Sequence, residues 1–214
     1  MNVETESVYL IGASGHAKVV ADMLSMKGIT VKGIFEKNEL IKSLWEFPVQ
    51  RQPQKGDWPS DSRYVIAVGN NKIRKYLAEA LHDEIAFSAV VHPKSVIANR
   101  TSIGIGTVIM AGVIVSPDSR IGEHVILNTN CCIDHECIIE NYVHISPNVA
   151  LAGDVHVGEG THIGIGACVI QGIHIGKWCT IGAGAVIIRD VPDGATVVGN
   201  PGRIVGERER RVEE

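Results

Sequence analysis

Every sixth residue from Ile97 to Ile187 is Ile, Leu or Val, sixteen in succession without a slip. Four places after each stands a small or β-branched residue, as at Thr101, Ser119, Cys137 and Ala185, and only Ile173 is large. A period of six fits neither an amphipathic helix nor one long strand. It is the hexapeptide repeat of a parallel β-helix, whose coils stack about 4.8 Å apart. Sixteen hexads at three per triangular coil make about five coils. Gly104, Gly122, Gly158, Gly164, Gly176 and Gly182 follow aliphatic positions and are expected to serve the corner turns.

The first half follows a different rule. "SVYLIGASGHAKVVADMLSMKG" predicts a buried strand over Val8 to Ile11, a glycine turn, and a helix from about His16 to Met26 closed by Gly28. "TVKGIF" predicts a second strand, and "RYVIAVGNNKIRKYLAEALHD" a third strand followed by a helix. Alternating strands and helices imply a small Rossmann-like parallel sheet. Residues 40–62, with three prolines and two tryptophans, suggest short edge strands and loops. The expected organisation is an α/β domain over 1–90, a joining segment "AFSAVVHPKSV", a β-helix over 96–192, and an exit strand with a charged tail over 193–214.

Charge and composition remove several classes of function. With 20 basic and 24 acidic residues interspersed, the net charge of −4 offers no basic face for nucleic acid. The start of the sequence lacks a basic segment leading into a long apolar run, and no stretch is long and apolar enough for a membrane helix. A cytoplasmic setting with five free cysteines is expected.

Candidate chemistry concentrates in "NTNCCIDHECII", Asn128 to Ile139. The hexad register puts Cys131, Cys137 and Cys179 at the small interior position, where a thiol packs as a small hydrophobe. Cys132 and Cys168 fall at the last place of their hexads, no Cys-x-x-Cys pair occurs, and no metal set is expected. His135 stands third in its hexad between Asp134 and Glu136, with Gly153 at the same spot one coil later. Register alone leaves a solvated histidine and a general base equally open. His144 and His162 are 18 residues apart, as are His156 and His174, so each pair stacks between adjacent coils.

The repeat and the ending "GAGAVIIRDVPDGATVVGNPGRIV" resemble the left-handed β-helix of hexapeptide acyltransferases. That resemblance supplies the handedness, since parallel crossovers are ordinarily right-handed. It also implies a homotrimer with active sites between neighbouring prisms. "EHVILNTNCCIDHECIIENYVHISPNVALAGDVHVGEGTHIGIGA" is similar to the segment of bacterial sugar acetyltransferases that carries their catalytic histidine. On the matching positions His135 would be the general base and Glu136 its orienting acid. A backbone N–H near Gly153 would face the oxyanion, and His144, Gly153, Ile165 and Ala183 would contact acetyl-coenzyme A.

"IGASGHA" has Gly12 and Gly15 but not the G-x-G-x-x-G spacing of a dinucleotide fingerprint, so a redox cofactor is poorly supported. A glycine turn at a helix start still suits a phosphate. "YLIGASGHAKVV" and "YVIAVGNNKIRK" resemble the nucleotide-sugar domain of the UDP-4-amino-sugar N-acetyltransferases of bacillosamine synthesis. By that resemblance Gly12, Ser14, Gly15 and His16 would cradle the diphosphate. Gly69, Asn70 and Asn71 would shape the pocket, with Arg74 as a helper. Where the family's second strand ends in acids that meet the nucleoside, this chain offers Glu36 followed by Lys37. The implied function is acetyl transfer from acetyl-coenzyme A to the 4-amino group of a UDP-linked 4-amino-4,6-dideoxy sugar. The alternatives are acetylation of GDP-perosamine, O-acetylation of a sialic acid, and a non-catalytic nucleotide-sugar sensor.

Overall fold

Strand β1 (Ser7–Ile11) runs through the middle of a sheet whose order is β3-β4-β2-β1-β5-β6, where β2 is Thr30–Glu36, β3 Ser43–Leu44, β4 Phe47–Arg51, β5 Arg63–Ile66 and β6 Ala86–Phe87. All neighbours are parallel except the β3–β4 hairpin. A central parallel strand is covered on both faces, and Leu10 and Ile11 are accordingly buried. Helices α1 (Gly15–Met26) and α2 (Asn71–Leu81) supply that cover. These descriptions come from a computed structural model, which describes residues 7–60 and 62–207.

The second half is a prism of two-residue strands recurring every six residues, from Val90–Val91 to Val186–Ile187. Each pairs in parallel with the strand 18 residues away, as Ile126–Leu127 does with His144–Ile145. The strands form three faces: the first runs from Val90–Val91 to Thr180–Ile181, the second from Val96–Ile97 to Val186–Ile187, and the third from Ser102–Ile103 to His174–Ile175. Within each pair the second residue points inward. Ile133, Ile139, Ile145 and their neighbours fill the interior together with the small residues such as Cys137 and Ala167.

Two expectations need correction. The prism begins one hexad earlier than read: Val90–Val91 pairs with Val108–Ile109, so part of the supposed joining segment is the first rung. The glycines after the aliphatic positions do not supply left-handed turns. That conformation falls two residues later, at Gly106, Gly160 and Gly184 but also at Asn130, Glu136 and Tyr142. Gly104 and Gly158 are small because the next coil's backbone would lie 2.5 Å and 2.7 Å from a Cβ there.

The α/β unit sits on the first face. Val20, Ala21 and Leu24 of α1 share a core with Val90, Val108 and Ile126, whose side chains point outward from that face. On the other side of the sheet, Phe87, Trp58 and Leu81 join a core that includes Tyr142 of the prism. At the far end Ala195–Val198 pairs with Thr180–Ile181, and Arg203–Glu207 folds back antiparallel onto it. The charged tail beyond residue 207 lies outside the described residues.

Candidate active site

His135 projects from the corner between the second and third faces. Its own N–H donates to Asp134 Oδ1 at 2.8 Å, and the chain then turns sharply through Glu136, whose φ is +61°. That left-handed residue brings the Glu136 carboxylate back to the ring, with Oε2 at 3.1 Å from His135 Nδ1. A carboxylate on Nδ1 fixes the proton there and leaves Nε2 as the acceptor. The ring lies flat against Gly153 in the next coil: a Cβ at that position would sit 2.4 Å from Cε1 and 2.6 Å from Nε2. Both side chains are more than half exposed, at 57% and 65%, so a reactant can reach them.

A crevice of about 730 Å³ opens at the carboxyl ends of β1, β2 and β4, lined by Gly12, Ser14, Glu36, Arg51, Gln52 and Val68 together with Ile73, Tyr76 and Leu77 of α2. Ligands of open α/β sheets bind at such strand ends. Gly12 takes a φ of +107° and lies so close to the chain just after β5 that a Cβ would sit 2.8 Å from Val68. Ser14 caps α1 without spending its side chain on the helix, and Gly15 faces open space. The free N–H groups of the helix start are therefore presented to the crevice. Glu36 is tied to the backbone: Oε2 accepts from the Ala13 N–H at 3.0 Å, and Oε1 from those of Lys37 and Asn38 at 2.8 and 3.0 Å. It braces the turn that leads into α1.

The other residues read from the sequence lie at the junction of the two units. The His16 ring turns inward, its Nε2 buried without a partner, and burial with the Arg74 charge lowers its pKa to about 4. Asn70 caps α2 through a 3.1 Å bond to the Ile73 N–H. Asn71 donates to the Gly160 and Thr161 carbonyls of the prism. His144 lies on the covered first face, stacked on His162 at 4.9 Å, with Asn128 Nδ2 3.2 Å from its Nε2. Burial, then His162, Arg74 and His16, push its pKa down to about 3, against a hydrogen bond to the Gly69 backbone. Gly69, Asn70, Asn71, His144 and His162 share a second cleft of about 360 Å³ with Trp178.

Arg74 is far more than a helper at a pocket rim. It is 1% exposed and spans both units, donating to the carbonyls of Val68 and Gly69 on one side and of His124, Tyr142 and Val143 on the other. No carboxylate is bonded to it among the described residues. Sequence pattern could not reveal this, since an arginine at helical spacing looks like any solvated position.

One chain does not gather all the residues expected to meet acetyl-coenzyme A. Gly153 shares the corner of His135, whereas Ile165 and Ala183 stack on the corner between the first and second faces. The second face between those corners presents outward Val96, Ile114, Cys132, Ala150, Cys168 and Val186. Val96 is 64% and Ile114 46% exposed.

Known proteins share this fold. The family described as the PglD N-terminal domain matches residues 7–81. A variant of perosamine N-acetyltransferase from Caulobacter crescentus, solved with CoA and GDP-perosamine, is 35% identical, with a TM-score of 0.88 over 94% of this chain and 97% of that one. The chain belongs to the hexapeptide-repeat sugar acetyltransferases. The acetyltransferase domain of PglB from Neisseria gonorrhoeae, another structure of this kind, is 36% identical over 94% of this chain and all of that one, with a TM-score of 0.88, and has been solved with acetyl coenzyme A. UDP-N-acetylbacillosamine N-acetyltransferase of Bacillus subtilis is 39% identical over 112 residues. That match spans about half of each chain, 50% of this one and 52% of the relative. Within this acetyltransferase family member, no described helix is long and apolar enough to cross a membrane.

Proposed function

We propose that this protein transfers the acetyl group of acetyl-coenzyme A to the 4-amino group of a UDP-linked 4-amino-4,6-dideoxy sugar, with His135 as general base. The observation that carries the reading is the His135–Glu136 pair laid over Gly153, an imidazole with one nitrogen held and the other available. A thioester is already activated, so no covalent enzyme intermediate is needed. The amine nitrogen bonds to the acetyl carbon as Nε2 of His135 takes its proton; the carbon–sulfur bond then breaks and the thiolate is protonated from the imidazolium. Glu136 stabilises that imidazolium, and a backbone N–H beside Gly153 faces the oxyanion.

The crevice at the start of α1 would hold the nucleotide diphosphate, with Gly12, Ser14 and Gly15 around it. His135 stands at a corner away from the first face that carries this unit, so the site is completed by a second copy. Packing the apolar second faces around a threefold axis brings the His135 corner of one prism to the Ile165 and Ala183 corner of the next. The bound nucleotide would thus position the amine by binding energy remote from the reaction.

A GDP-linked 4-amino sugar is the second reading, favoured by the likeness to the perosamine enzyme over nearly the whole chain. A panel of UDP- and GDP-linked 4-amino sugars, assayed with acetyl-coenzyme A for released thiol, separates the two. His135→Ala should lower kcat by about 10²–10⁴-fold with nucleotide-sugar binding retained. Full turnover in that variant would remove the mechanism.

A further inference from the structure

His135 and Glu136 are neighbours in the chain, and adjacent side chains do not ordinarily face each other. They meet because Glu136 stands at a φ of +61°, where a non-glycine residue rarely settles unaided. Both side chains are more than half exposed, so little packing holds them in place. The pair is therefore only as well placed as the backbone of its turn.

That turn is held from inside the prism by one hydroxyl. Ser119 is fully buried at the small interior position, one coil before Cys137. Its Oγ donates to the Asp134 carbonyl at 2.8 Å and accepts from the Cys137 N–H at 3.2 Å, bridging the two ends of segment 134–137. At the corners from Asn128 to Cys131 and from Gly164 to Ala167 the chain closes such a turn with its own N–H to carbonyl bond, at 3.1 and 3.2 Å. Between Asp134 and Cys137 the Ser119 oxygen takes the place of that bond. Other backbone bonds of the turn run from coil to coil, as from the Glu136 N–H to the Pro117 carbonyl at 3.1 Å and from the Asp154 N–H to the His135 carbonyl at 2.9 Å. The same bracket recurs at Thr107, whose hydroxyl lies 2.8 Å from the Gly122 carbonyl and 3.0 Å from the Val125 nitrogen, at the corner between the third and first faces.

We propose that Ser119 is a positioning residue for acetyl transfer: its hydroxyl sets the turn that puts the Glu136 carboxylate on Nδ1 of His135. The assignment rests on the acetyl-transfer reading with His135 as base, and adds a residue that touches no reactant. A hydroxyl donates and accepts at once, which a methyl group cannot do. Without it the Asp134 carbonyl and the Cys137 N–H lose their partner, and the turn closes on itself or opens to water to recover one. Either movement shifts Glu136 and releases the proton it holds on Nδ1.

Thr101 and Val155 occupy the same interior column, one coil before Ser119 and two coils after it, so both shapes suit the prism. Ser119→Val and Ser119→Thr differ only in a methyl group for a hydroxyl. Ser119→Val should lower kcat by about 10–10²-fold with the KM of both reactants unchanged, and Ser119→Thr should keep the wild-type kcat. Equal kcat in the two variants overturns the proposal, as does a loss carried by KM. Where the larger side chains do not fold, Ser119→Ala adds no atoms and should show the same loss of kcat; wild-type kcat there also overturns it. Thr107→Val removes the equivalent bracket elsewhere and should lower the melting temperature as Ser119→Val does while keeping kcat. A matching loss of kcat would reduce Ser119 to general stability and overturn the assignment. Carbethoxylation of His135 by diethyl pyrocarbonate, followed by peptide mass spectrometry, needs no turnover. Its rate should fall in Ser119→Val to that of Glu136→Gln and stay at the wild-type rate in Ser119→Thr; a wild-type rate in Ser119→Val overturns the proposal. A wild type that gives this labelling pattern yet acetylates no amino sugar would leave Ser119 in its role toward the pair and remove only the acetyl-transfer reading.

Discussion

The imidazole of His135 rests on the Cα of Gly153, one coil away, with no room for even a methyl group between them. Gly153→Ala should therefore push the ring off its position while the β-helix, whose interior does not include that site, stays folded. A displacement of about 1 Å at a reacting group can cost about 10²-fold in rate. Steady-state kinetics beside a thermal melt checks this; a variant with wild-type kcat would mean that the ring's placement on Gly153 is irrelevant to turnover.

Arg74 joins the α/β unit to the prism through carbonyl groups that have no other strong donor in its place. Arg74→Met fills much of the volume but strands several buried carbonyls, each costing about 1–3 kcal/mol when unsatisfied. Stability should fall by about 3–4 kcal/mol in urea unfolding. A loss under about 1 kcal/mol would show that the junction does not depend on this side chain.

Acid should loosen the same junction. His16 and His124 are held neutral to about pH 4 and His144 to about pH 3, chiefly by burial, with Arg74 facing all three. His82 adds to the effect at His124, and His162 and His16 add to it at His144. The folded pKa values lie below the ordinary 6.5, so the unfolded chain binds the extra protons. Their contribution is complete above pH 6.5 and is lost as pH falls toward 4. Melting temperatures measured between pH 7.5 and 4.5 should decline below about 6.5. A flat profile would contradict the neutral burial of these rings.

The five thiols should divide into two groups. Burial raises Cys131 to about 12 and Cys137 to about 11 and also raises Cys179, so these interior sulfurs hold little thiolate. Native protein should leave all three unlabelled by a thiol reagent. Cys132 and Cys168 point outward from the apolar second face. In an assembled trimer they should be protected and become reactive on dilution into monomers. Fast labelling of both in the assembled species would place the subunit contact on another face.

The six-residue period made the prism and the interior cysteines legible, because a stacked coil repeats one local environment and repeats it in sequence. Val91 and Ser95 continue that pattern one hexad before Ile97, so the early rung was visible in principle. The helix start at Ser14 and the strand ends around it were also legible, as local turn chemistry. What sequence spacing did not disclose is contact across the two units. His16 and Arg74 look like members of a ligand loop and a helix surface, yet they meet His144 and the carbonyls of residues 124 and 142 only after docking. The separation of Gly153 from Ile165 and Ala183 is hidden for a related reason: their corner depends on counting hexads modulo three, which a list of matched positions does not record.

Because every coil contributes the same rise and the same 18 residues, reach along this molecule is quantised. Side-chain changes at its rim can alter how firmly a long substrate is gripped, but they cannot alter where its two ends are received relative to each other. Only the gain or loss of a whole turn would do that, in increments of about 4.8 Å. The scaffold behaves as a ruler whose graduations are written in the chain.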